Sequence, residues 1–214
     1  MAKKRISDVL IEVLANAGIE RIYGITGDSL NSVNDSLRRN GKIAFEHVRH
    51  EETAAFAAGA EAALTHKLTV CAGSSGPGNL HLINGLFDCH RNRVPVLAIA
   101  SHIPQSEVGL NYFQETHPEN LFKECSCFCE LVSNPKQMPE ILFRAMNAAI
   151  GNQDVAVIVL PGDVAVMETE IDELPVWHHP RLPHIVPQRE DIEEMSAHLE
   201  KGERITLFCG AGCE

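Results

Sequence analysis

Three runs of the sequence, residues 68–72 (LTVCA), 94–100 (VPVLAIA) and 155–160 (VAVIVL), are apolar along almost their whole length. A strand with one wet face alternates apolar with polar side chains. A run with no polar side is buried on both faces, as in a parallel sheet clad by helices. Between such runs lie stretches of helical periodicity: Ile6, Val9, Leu10, Val13, Leu14 and Ala17 recur at that spacing, with Gly18 as the stop. Further strands are expected at 21–25, 43–48 and 124–132, which makes six up to Leu160. Helices are expected from the Gly27-Asp28-Ser29 turn to near Asn40, over 51–64, from the turn at Gly73–Asn79 to about Asp88, and over 135–151. The expected fold is therefore α/β: a doubly wound, mostly parallel six-stranded sheet with helices on both faces. Ligands of such sheets bind where loops leave the carboxyl ends of the strands.

A chain of 214 residues accommodates one domain of this kind and the start of another. The first domain is expected over residues 3–166. Residues 167–190 read as an extended linker, because Pro175, Pro180, Pro183 and Pro187 fall beside Trp177, His178 and His179. Residues 191–214 read as the beginning of a second domain, with a helix at 191–201 and a strand at 204–209 leading into Gly210-Ala211-Gly212. That pattern suggests a doubly wound domain cut at its first strand.

Composition narrows the function. Hydrophobic residues make up 44% and charged residues 22%, which excludes a disordered chain. The formal charge of −11 is spread along the chain rather than run in blocks, and this excludes a basic surface for nucleic acid. Lys3, Lys4 and Arg5 are followed by Asp8 and Glu12 rather than by an apolar signal core. No apolar run approaches the ~18–20 residues of a membrane span. The reading is a cytoplasmic protein, and its seven cysteines, an odd number, are expected as thiols. Cys125, Cys127 and Cys129 on one strand would share a face at steps of about 6.6 Å. That is too far apart to share a zinc ion, so they read as structural, and no protein-chelated metal is expected.

The loops after the strands carry the chemistry. In Gly24-Ile25-Thr26-Gly27-Asp28-Ser29 two glycines permit a tight turn and close approach to a ligand, although a capped strand-to-helix turn explains the same residues. Arg49-His50-Glu51-Glu52 places carboxylates at a helix start, where the dipole favours them. The following helix is almost all Ala and Gly, which allows close packing, and a carboxyl in so apolar a place can hold and pass a proton near neutrality. Gly73-Ser74-Ser75-Gly76-Pro77-Gly78-Asn79 opens another helix. Its glycine order, G-x-x-G-x-G, reverses the dinucleotide fingerprint, and the acidic residue expected about 20 positions later is absent. A long loop at 101–118 holds Phe113 and Gln114, an apolar face and an amide suited to enclosing a small polar substrate.

Arg49-His50-Glu51, the Ala-rich helix, Gly73–Asn79 and Tyr112-Phe113-Gln114-Glu115 together resemble the N-terminal, pyrimidine-binding domain of thiamine-diphosphate enzymes. The stretches 79–93 (NLHLINGLFDCHRNR) and 94–100 resemble the bacterial, quinone-dependent pyruvate oxidases in particular. The resemblance implies thiamine diphosphate as cofactor, with Glu51 as the catalytic residue hydrogen-bonded to N1′ of the aminopyrimidine ring, where it favours formation of the ylid nucleophile. It implies cofactor contacts from Thr26, Ser75, Pro77 and Asn79, and substrate contacts from Phe113 and Gln114. Pyruvate would be oxidatively decarboxylated to acetate and CO₂, with electrons passing through FAD to quinone. The Mg²⁺ and diphosphate site implied by a Gly-Asp-Gly…Asn motif, and most of the FAD site, would lie on domains outside this chain, since no Gly-Asp-Gly occurs in it. The resemblance further implies a homodimer or tetramer, peripheral attachment of full-length relatives to the inner membrane, and little activity or cofactor affinity for these residues alone. Acetolactate synthesis, another 2-oxoacid decarboxylation, or a non-catalytic half-site subunit are the alternatives.

Overall fold

The computed structural model describes residues 2–171, 174, 176–181 and 185–210. The chain forms two units, Met1–Pro180 and Arg181–Glu214. The first unit opens with a short strand, β1 (Ala2–Arg5), and helix α1 (Ile6–Asn16), whose Ile6, Val9, Leu10, Val13 and Leu14 are buried. Next come β2 (Arg21–Gly24), a 3₁₀ turn at Asp28–Leu30, α2 (Asn31–Asn40), β3 (Ala44–His47), α3 (Glu51–Thr65), β4 (Thr69–Gly73) and α4 (Pro77–Asn92). After β5 (Val96–His102) follow the short α5 (Pro118–Leu121), β6 (Phe128–Leu131), α6 (Met138–Asn152), β7 (Val155–Pro161), α7 (Gly162–Val166) and β8 (Glu168–Ile171).

The expected sheet is present. Six strands run in the order β3-β2-β4-β5-β7-β6, and each neighbouring pair is parallel. The apolar runs are buried on both faces, with successive residues turned to opposite cores. Leu97 and Ile99 of β5, and Ala156, Ile158 and Leu160 of β7, join the core shared with α1, α2 and α6. Val96, Ala98 and Ala100, and Val155, Val157 and Val159, join a second core with α3 and α4. The second core is built of smaller side chains, with Ala54, Ala55, Ala58 and Ala62 of α3 all buried, so α3 and α4 lie close together. At their crossing a Cβ added to Gly85 would stand 2.5 Å from the Ala55 Cβ and 2.7 Å from the Glu52 carbonyl oxygen.

Several segments depart from the sequence reading. The strand expected at 124–132 is confined to β6, because the Cys125 amide and the Ser126 hydroxyl both donate to the Phe122 carbonyl, at 3.2 and 2.7 Å, and close a turn. The three thiols therefore do not share a strand face. Cys125 is buried with its Sγ 3.7 Å from the Phe122 carbonyl, Cys127 lies against the Val155 carbonyl at 3.3 Å, and Cys129 faces the Pro118 carbonyl at 3.9 Å. The segment read as linker begins with β8, which pairs antiparallel with β1 from Ala2↔Ile171 to Arg5↔Glu168. Within the second unit the helix is α8 (Arg189–Glu200). Residues 204–209 form no strand, since strands exist through pairing and no second strand is present among the described residues of this unit. The Gly-rich turn expected at 210–212 extends outside the described residues.

Candidate functional site

The strand order changes direction at β2 and β4. From β2 the chain turns through α2 to the edge strand β3, and from β4 it turns through α4 to β5 on the other side. Helix α2 packs in the first core and α4 in the second, so the loops leaving these two adjacent strands diverge to opposite faces. Such a switch point opens a crevice at the carboxyl edge of the sheet. The Ser75 amide donates to the Ser29 hydroxyl at 2.9 Å and ties the two loops together across it.

Glu51 stands beside this edge as the first residue of α3, where the helix dipole stabilises negative charge. The residue before it, His50, caps the helix: its Nδ1 accepts the Glu52 amide at 3.3 Å. Glu51 is buried, at 7% exposure, whereas Glu52 is half-buried. Its Oε2 lies 3.2 Å from His81 Nδ1 on α4. Its Oε1 faces the start of α4, where a Cβ on Gly78 would come within 3.4 Å of that oxygen and 2.8 Å of the Ser74 hydroxyl. No other side-chain hydrogen bond reaches Glu51 among the described residues, so Oε1 remains available to a ligand. His81 also stacks on His50, with ring centroids 4.3 Å apart and an interplanar angle of 27°.

The other expected residues divide into two groups. Ser75 and Asn79 are buried at the turn into α4, with Pro77 exposed at the first helical position. Asn79 donates through Nδ2 to the Ser101 carbonyl at 2.8 Å, while its Oδ1 is buried without a partner. A buried carbonyl oxygen of this kind is costly unless a donor reaches it. Gln114 is brought to the same turn: Gly76, at φ 68°, leaves room for it, and a Cβ there would meet the Gln114 Cβ at 2.7 Å. Phe113, by contrast, is 81% exposed and reaches outward. Thr26 is exposed and lines a groove with Asn34, Leu37, Arg38, Ile43 and Phe45.

Three contributors escaped sequence reasoning. His50 and His81 flank the Glu51 carboxyl, and Glu115 organises the loop around Phe113 by accepting the Gly109 amide at 2.6 Å and the Tyr112 amide at 3.2 Å. The Gly109 amide above all, with those of Tyr112 and Asn111, holds the Glu115 carboxyl below its ordinary range, against a smaller opposing effect of burial. A usable signal for His81 was present: Gly78, His81 and Gly85 recur at helical spacing, which puts them on one face of α4. Nearby His102, at the end of β5, is buried with Nδ1 unpartnered, and burial holds its imidazole below the usual range.

Residues 4–121 match the family described as thiamine pyrophosphate enzyme, N-terminal TPP binding domain. An uncharacterized 42.6 kDa protein of Pseudomonas amyloderamosa is 57% identical over 214 residues, covering 100% of this chain and 54% of its own length. The pyruvate oxidase of Lactiplantibacillus plantarum is 32% identical over 211 residues, 95% of this chain and 34% of the oxidase. The chloroplastic acetolactate synthase 2 of Zea mays is 29% identical over 216 residues, 97% of this chain and 33% of the synthase. The chain thus spans from about a third to about half of the length of these relatives.

Proposed function

The chain belongs to the thiamine pyrophosphate (thiamine diphosphate) enzymes, carrying their N-terminal cofactor-binding domain, and on that premise we propose that it forms the pyrimidine side of the active site of a quinone-dependent pyruvate oxidase. The observation that carries this reading is Glu51, a buried carboxyl at a helix start with one oxygen beside His81 and the other turned to a glycine-lined turn.

These residues fit an aminopyrimidine ring. Gly78 keeps the space beside Oε1 clear of a side chain, and the unpartnered Oδ1 of Asn79 is ready to accept a hydrogen bond. Glu51 would hold the proton at N1′, with His81 fixing the carboxyl through its other oxygen. Ser75, Pro77 and Asn79 would line the ring's edge, and Thr26 would border the crevice from the β2 loop. When bound, the cofactor supplies a carbon nucleophile for the keto carbon of a 2-oxoacid. Gln114, seated on Gly76, would orient the carboxylate or keto oxygen of pyruvate, and Phe113 would close over it. Mg²⁺, the diphosphate and FAD would be held by other domains, in a homodimer or tetramer whose reaction yields acetate and CO₂ and reduces quinone.

The acetolactate synthase of Zea mays, at 29% identity against 32% for the pyruvate oxidase, supports a second reading, condensation of the decarboxylated pyruvate with another 2-oxoacid. The test mixes this chain with separately produced diphosphate- and flavin-binding domains of the family, together with thiamine diphosphate, Mg²⁺, FAD, pyruvate and a soluble quinone. Acetate with quinone reduction, lost in Glu51→Gln, is the expected result. Acetolactate would favour the second reading, and full activity in Glu51→Gln would remove Glu51 from the chemistry. No product from a mixture whose chains demonstrably associate would favour a non-catalytic half-site.

A further inference from the structure

We propose that His50, Glu51 and His81 form a transition-metal site, selective for zinc-like ions, that shares its carboxylate with the cofactor position and so excludes the cofactor when filled. One imidazole nitrogen from each histidine and one Glu51 oxygen lie within 4.8 Å of one another. Two histidines and a carboxylate are a common three-ligand set for zinc, with a fourth position left to water. Imidazole nitrogen favours zinc, copper and nickel over magnesium and calcium, which select oxygen ligands.

The surroundings suit such an ion. Glu51 is already desolvated, with its side chain 10% exposed, so a cation there meets a carboxylate that has lost most of its water. His81 is 48% exposed and His50 is exposed, so solvent borders both rings, and the stack between them opens as they turn toward a shared ion. Ligand pairs on a tetrahedral zinc stand about 3.4 Å apart for bonds of about 2.0–2.2 Å. The His81–Glu51 pair already meets that spacing at 3.2 Å, and no pair must close by more than about 1.4 Å. His50 Nδ1 accepts the Glu52 amide at 3.3 Å, so the neutral ring carries its proton on Nε2, and an ion takes Nδ1 in place of that amide or Nε2 after the proton moves to Nδ1. Spacing gives the face of α4 on which His81 lies, while its meeting with Glu51 comes from the packing of two different helices.

The inference concerns metal binding and holds whether or not Glu51 is catalytic. Cobalt(II) is the probe, titrated into the whole chain under reducing conditions and followed by its visible d–d absorption; Zn²⁺ then displaces it in competition with a chromophoric chelator. The parent chain is expected to show one binding event that His81→Ala, His50→Ala and Glu51→Gln each weaken by more than about 100-fold, beyond the ~10–100-fold typical of losing an outer-shell partner. His66→Ala, an exposed histidine at the far end of α3, is expected to bind as the parent does. Circular dichroism confirms that each variant is folded. Equal cobalt stoichiometry and affinity in the parent and in a folded His81→Ala variant would overturn the proposal, as would equal loss in His66→Ala. The regulatory part is read separately by thiamine diphosphate binding to the assembled enzyme. Zinc is expected to weaken it in the parent and not in His81→Ala, and zinc-insensitive binding in the parent would overturn the exclusion.

Discussion

Adding one methyl group at Gly85 should have the opposite effect to adding the same group at Gly151. Both glycines lie in helices, Gly85 in α4 and Gly151 in α6. At Gly85 the new Cβ would stand 2.5 Å from the Ala55 Cβ, 2.7 Å from the Glu52 carbonyl oxygen and 3.0 Å from the Phe56 amide nitrogen, all on α3. Carbon atoms at optimal contact are about 3.5–4.0 Å apart. Two of the three obstacles are backbone, so no side chain can turn aside, and α4 must retreat from α3 by about an ångström. Overpacking of this kind costs about 1–3 kcal/mol, and the rigid obstacles place it near the top of that range. Replacing Gly by Ala in a helix returns about 1 kcal/mol, leaving a net loss of about 2 kcal/mol. For a unit of this size each kcal/mol shifts the midpoint by about 2–4 °C, so Gly85→Ala should melt about 4–8 °C lower. At Gly151 nothing lies within 4 Å of the new Cβ. Only the helix preference acts there, close to the helix end, and Gly151→Ala should gain about 0.5–1 kcal/mol and melt about 1–4 °C higher. Calorimetry or thermal circular dichroism on the three chains in parallel decides it. A Gly85→Ala chain that melts at or above the parent would refute the close α3–α4 contact and, with it, the account of how His81 is brought to Glu51.

Two further outcomes follow from groups already described. Burial holds His102 below the ordinary imidazole value of 6.5, against the smaller opposing pull of Glu119 and Glu115. The unfolded chain therefore takes up a proton near pH 6.5 that the folded chain refuses until lower pH. The contribution is complete above about pH 6.5 and declines below it, by at most about 1.4 kcal/mol per pH unit. Urea titrations at pH 7.5 and 5.5 should show that decline, and His102→Gln should flatten it; an unchanged slope would show the imidazole to be accessible to protons. Burial pushes the Cys71 thiol far up and that of Cys89 up to about 12, whereas Cys209 is exposed. At pH 8 a disulfide reagent should label Cys209 well before either, as read by peptide mass mapping. Comparable labelling of Cys71 in the native chain would contradict its burial.

What could be read from the sequence was what local pattern controls. The runs around Val96–His102 and Val155–Pro161 announced themselves because both of their faces are dry. The position of Glu51 followed from the rule that ligands gather after strands. Strands β1 and β8 were invisible for the converse reason: AKKR and ETEI are short and rich in charge, and each becomes a strand only through the other, at the far end of the domain. For His81 the spacing with Gly78 and Gly85 gave its face of α4, but not how closely two helices approach there. That approach is written in Gly85 and the alanines of α3, but only a structure shows which surfaces they bring together.

The β1–β8 pair has a mechanical consequence. Because the strands are antiparallel and Ala2 is opposite Ile171, the first residue of β1 and the last of β8 sit at the same end of the ladder. A force drawing those points apart loads the hydrogen bonds one after another, as a zipper is opened, rather than shearing them together. The clasp should therefore yield at low tension while the parallel sheet beneath it stays intact. In a single-molecule pulling record from these two points, a small early extension should precede the main rupture.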